Sequence, residues 1–71
     1  MITVDQIADH IERLIAEERL AGDRLALKDI HKSAGFLVRT AEALGDREVA
    51  RRFQILAAQA ANAAEALDKR S

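Results

Sequence analysis

Apolar residues recur along this chain at intervals of three and four, and the recurrence breaks twice. In the first stretch Val4, Ile7, Ile11 and Leu14 keep the interval, with Ala8 and Ile15 widening the stripe. A stripe of this period is the mark of an amphipathic helix. In the second stretch Leu27, Ile30, Ala34, Leu37, Ala41 and Leu44 alternate strictly by three and four, which is the seam of a helix bundle. In the third, Val49, Phe53, Leu56, Ala60, Ala63 and Leu67 do the same work. The pattern predicts helices over residues 4–21, 24–44 and 47–69.

Both breaks are the dipeptide Gly-Asp, at Gly22-Asp23 and Gly45-Asp46. Glycine suits the left-handed residue that closes a helix, and aspartate suits the cap that opens one. Turns this short join antiparallel neighbours. The first helix has its own start signal. Thr3 and Gln6 have capping-box spacing, Ile2 and Ile7 the spacing of a hydrophobic staple, and Asp5 sits in the first turn, at the positive end of the helix dipole. Asp9–Arg13, Glu48–Arg52 and Glu65–Lys69 are favourable pairs four residues apart. Residues 1–71 are therefore expected to form one all-α domain: an antiparallel three-helix bundle in up-down-up order, or a helical hairpin that completes its bundle by dimerising. Folding at the two Gly-Asp turns sets Ile11 level with Ala34, Ile7 with Val38, and Ala34 with Ala57. Small residues then coincide midway along the bundle.

Length and composition narrow the picture. A chain of 71 residues buries a modest core, and small domains usually add disulfides, a metal or a partner chain. Cysteine is absent, which removes disulfides and thiolate metal sites. Two histidines, His10 and His31, cannot build a structural zinc site without carboxylates, and no Glu-x-x-His spacing occurs. No cofactor and no metal are expected. Beyond Leu56 the apolar positions are mostly alanine, which favours helix, buries little area and permits close approach.

Charge excludes further classes. Eleven basic and twelve acidic residues give a formal charge of −1, so the chain has no general attraction to nucleic acid or anionic membrane. Phe36 and Phe53 are the only aromatics, too few for stacking on bases. No stretch approaches the ~18 apolar residues of a membrane span, and Met1–Asp5 lacks the basic and apolar regions of a secretory signal. The expectation is a soluble, cytoplasmic protein.

Three places could carry function. The first is His31, followed by Lys32, Ser33, Ala34 and Gly35. A helical histidine with glycine one turn later resembles the phospho-accepting site of histidine phosphotransfer domains. The resemblance implies that His31 is a phosphoacceptor. It covers about five residues, Ala34 stands where those domains carry lysine, and three helices stand where they have four. The plainer reading makes His31 a boundary residue beside the Ile30–Ala34 seam, with Gly35 there because another helix passes close by.

The second is Leu27–Leu44 cut at Gly35, which reads as a helix-turn-helix with Ile30, Ala34, Phe36, Ala41 and Leu44 at its apolar positions. Leu20-Ala21-Gly22-Asp23-Arg24-Leu25 is similar to the approach to that motif in GntR-type winged-helix regulators, which implies DNA binding. His31 occupies the usual small-residue position, no strand pair follows, and only Arg39 and Thr40 could read bases or phosphates. This reading requires a break near Gly35.

The third is the outer side of the third helix. Arg47, Arg51 and Arg52 cluster at the helix start, where the dipole disfavours positive charge. Ile55 lies off the seam among Arg51, Arg52, Gln59 and Asn62, with Ala58 and Ala66 along the same side. A shallow apolar strip with polar handles suits a partner helix. The expected function is a non-enzymatic, small helical interaction module: a regulator, adaptor or assembly subunit that binds another protein or itself, as a homodimer, through Arg51, Arg52, Ile55, Gln59 and Asn62. Neither resemblance covers enough of the chain to assign a family.

Overall fold

Helices form where the three stripes lie: α1 (Val4–Ala21), α2 (Arg24–Ala43) and α3 (Arg47–Arg70). The computed structural model describes the backbone of residues 1–70 and the side chains of residues 1–69, and no strand occurs among them. The helices pack as a three-helix bundle. Expected and observed boundaries agree to one residue. Leu44 is the correction at the end of α2: it is a cap rather than a helical residue.

The capping box of α1 is complete. The Gln6 backbone N–H donates to Thr3 Oγ1 at 3.1 Å, and the Thr3 N–H donates to Gln6 Oε1 at 3.0 Å. Each Gly-Asp turn serves two helices at once. At the first, Gly22 takes a left-handed conformation (φ 71°) and its N–H donates to the Arg19 carbonyl at 3.2 Å. The Asp23 N–H donates to the Glu18 carbonyl at 3.0 Å, completing the Schellman pair that closes α1. The Asp23 carboxylate then accepts the Ala26 N–H at 3.0 Å and opens α2. At the second turn Gly45 has φ 79°. Gly45 N–H donates to the Glu42 carbonyl (3.0 Å) and Asp46 N–H to the Ala41 carbonyl (2.9 Å), while Asp46 Oδ1 accepts the Val49 N–H (3.1 Å).

The register follows from these turns. Arg24, at the start of α2, meets Asp68, near the end of α3, at 2.5 Å, as an antiparallel pair must. Asp5, in the first turn of α1, pairs with Arg52 in the second turn of α3, so α1 and α3 run parallel. His31 Nδ1 lies 2.9 Å from the Ala57 carbonyl oxygen, consistent with the expected level of Ala34 against Ala57.

The core contains no buried polar or charged residue among those described. Leu27, Ala34 and Ala60 are fully buried, and Leu27 and Ala60 share one apolar cluster with Ile11, Ile15, Phe53 and Leu56. Eight of the fourteen buried hydrophobics are alanine, and most of these lie on α2 and α3. Small side chains let those two backbones approach closely along their length, whereas the isoleucines of α1 hold its axis further away. Val49 and Leu67, expected in the seam, are half-buried, and Ala50, Ala57 and Ala64 are buried instead. The buried stripe of α3 is thus rotated toward its alanines. Leu44, expected at the end of the α2 seam, is 80% exposed, because the helix closes there and no side chain of the next turn covers it.

Candidate functional site

The outer side of α3 is exposed as the spacing predicts. Ile55 is 53% exposed, and Arg51, Ala58, Gln59, Asn62 and Ala66 are exposed with it. Ile55 and Gln59 also border a shallow groove of about 140 Å³ between α3 and α1, walled by Ala8, Glu12, Arg52 and Leu56. The groove gives the strip an apolar floor in Ala8 and Leu56 and a charged rim in Glu12 and Arg52.

Arg52 has a second task. Its guanidinium bonds the Asp5 carboxylate and comes within 3.9 Å of Asp9, both on α1. The hydrogen bond to Asp5 raises the Arg52 pKa; partial desolvation opposes the rise, and the charges of Asp5, Asp9 and Glu12 reinforce it. Arg52 therefore joins α3 to α1, and its reach toward α1 replaces the Glu48 pairing that the sequence suggests. Of the five residues singled out on this face, Arg51, Ile55, Gln59 and Asn62 remain presented to solvent, with Arg52 anchored at their edge.

His31 is exposed overall, yet its ring is held. A carbonyl oxygen can only accept, so Nδ1 carries the proton in the bond to Ala57. Nε2 lies on the opposite side of the imidazole, away from this bond. Gly35 corrects one expectation: a Cβ built there meets nothing within 4 Å. No helix passes close enough to require glycine. α2 also runs unbroken through Gly35, so the turn required by a helix-turn-helix is not there. Phe36, which that motif would bury, is 68% exposed.

One surface was not anticipated. At the end of the bundle where α1 and α3 begin and α2 finishes, Val4, Ile7, Leu37, Leu44, Val49 and Phe53 line an apolar cleft of about 310 Å³. Thr40 lies on its edge, and its hydroxyl donates to the Phe36 carbonyl at 3.0 Å. The signal was present in the sequence. Leu44 directly precedes the helix-closing glycine, and Val4 and Val49 lie in the first turns of their helices, so all three fall at one end of the bundle.

Among the described residues, no group of three His, Asp or Glu side chains is placed to hold a metal ion. None of their helices is long and apolar enough to cross a membrane. In comparisons with known proteins, no family model, curated protein or solved structure matches the chain.

Proposed function

We propose that this protein is a small cytoplasmic interaction module that binds another protein through the exposed side of α3 and catalyses no reaction. One observation carries the reading. The fold buries the other large apolar side chains in the middle of α3, Phe53 and Leu56, but leaves Ile55 half in water, beside an apolar groove and within a turn or two of the exposed amides of Gln59 and Asn62. A partner helix laid along this side would bury Ile55 against its own apolar face, bond Gln59 and Asn62, and meet Arg51 at the rim. The test is Ile55→Glu. Its circular dichroism and melting should match the wild type, because the side chain makes little of the core. Its binding to partners that the wild type retains should fall at least about tenfold, as expected for a charge set into an apolar contact. Undiminished binding by a folded Ile55→Glu variant rejects the proposal.

A second reading rests on His31. The bond from Nδ1 to Ala57 fixes the ring and leaves Nε2 as the available nucleophile on an exposed side chain. That supports phosphoryl acceptance at Nε2. Incubation with a small phosphoramidate donor should label the wild type and leave His31→Gln unlabelled; equal labelling, or none, removes the reading.

A further inference from the structure

The exposed side of α2 presents a hydrophobic face of its own, separate from α3. Phe36, Thr40 and Leu44 lie four residues apart, so they stack along one side of the helix. Leu44 keeps a helical backbone (φ −87°, ψ 0°) although it caps α2, and so continues that side. Phe36 is 68% and Leu44 80% exposed. Between them, the Thr40 hydroxyl is already satisfied by the Phe36 carbonyl, so covering this side would leave no hydroxyl donor unpaired. Leu44 and Thr40 also border the apolar cleft formed with Val4 and Val49.

We infer that this side of α2 is a homodimer interface, in which two copies pair their second helices antiparallel about a two-fold axis at Thr40. The choice of a second copy follows from the symmetry of the pattern. Phe36 precedes Thr40 by four residues and Leu44 follows it by four. Antiparallel pairing therefore sets Phe36 of each copy level with Leu44 of the other, twice over, as an isologous contact demands. Lys32 lies eight residues before Thr40, and α2 closes at Leu44 with the exposed Asp46 just beyond it. Antiparallel pairing directs each Lys32 toward the C-terminal end of the other copy's α2, where the helix dipole is negative. Parallel pairing would stack lysine on lysine.

Area sets the strength. At 68%, 80% and 39% exposure, Phe36, Leu44 and Val4 leave on the order of 350 Å² of apolar side chain in water, as much as the largest patch on a typical monomer. Lys32, Arg39, Thr40 and the half-buried Leu37 enlarge the face toward the ~600 Å² per partner of weak specific complexes, short of the ~800 Å² of standard ones. The dimer is accordingly a micromolar one.

The wild-type chain should pass from monomer to dimer between about 1 and 500 μM in sedimentation equilibrium. Phe36→Glu should weaken that association on the order of tenfold or more while leaving the melting transition in place. The chain has no cysteine, so Thr40→Cys introduces a single thiol on the proposed axis. Under mild oxidation it should form a disulfide-linked dimer far faster than Asn62→Cys, whose thiol lies on α3. A wild type that stays monomeric throughout overturns the inference. So does a dimer that survives Phe36→Glu, or one that cross-links through position 62 in preference to position 40. Dissociation by Ile55→Glu with no effect of Phe36→Glu would move self-association to α3, so the fates of the two surfaces are separable.

Discussion

At the scale of single residues, the interior is divided between positions with space and positions without it. Gly35 has open space and an ordinary helical backbone, so its glycine only costs helix stability. Gly35→Ala is expected to raise the unfolding free energy by about 0.5–1 kcal/mol, seen as a higher urea midpoint; a lower midpoint would mean that something does pack against it. Ala34, one residue earlier, is fully buried. Ala34→Leu should lower stability by about 1–3 kcal/mol, because a filled site has no room for the added carbons. Leu27 is the largest fully buried side chain, and Leu27→Ala should remove about 2–5 kcal/mol in the same assay. Asp68 sets a pH dependence. Its hydrogen bond to Arg24 holds its carboxyl below the usual range, with partial desolvation opposing and the charges of Arg24 and Lys28 assisting. A folded pKa below the unfolded value means stabilisation that is present above the unfolded pKa, ~3.9, and lost as pH falls through the folded one. Asp68→Asn should therefore flatten the loss of stability on acidification below about pH 4, as read by melting temperature against pH.

At the scale of elements, the turns carry unusual responsibility. Asp23 and Asp46 each complete the closure of one helix and open the next. Asp23→Ala should cost about 1 kcal/mol, in line with the loss of an N-cap, while leaving the Schellman bond of its own N–H intact. Alanine at Gly22 or Gly45 should cost about 1–2 kcal/mol, because both hold left-handed backbone. These features are legible in the sequence. Capping residues act on near neighbours, so their chemistry is written within five or six positions of chain. The helix order and register were equally legible, since two short turns leave one antiparallel arrangement. What the periodicity misplaced were side chains whose environment depends on a neighbouring helix. Leu44 obeys the seam spacing but lies where the helix ends, and Gly35 suggested a close approach that the other helices do not make. The exposure of Ile55 is legible because Arg51, Gln59 and Asn62, on the same side of α3, are polar. The partners of Arg52, Asp5 and Asp9, stand on a helix 43 or more residues away in sequence, beyond the reach of local pattern.

At the scale of the whole molecule, stability is shared unevenly. α2 and α3 meet through alanines at short range, and α3 contributes seven of the buried core residues against three from α1. α1 is held by Ala8, Ile11 and Ile15 together with the exposed pairing of Arg52 to Asp5 and Asp9. Exposed ion pairs add little and are screened by salt. Hydrogen exchange should accordingly show α1 amides opening before those of the α2–α3 hairpin; equal protection in all three helices would contradict this division. The economy of the two turns has one more effect. Every one of the eleven lysines and arginines falls within α1, α2 or α3, and none falls on the short segments between them. Trypsin, which must draw its target into an extended strand, thus finds no connecting loop to nick. Cleavage at the sites inside the helices, such as Lys32 and Arg39, has to wait for a helix to melt, so the rate of digestion there becomes a reading of how often this molecule opens.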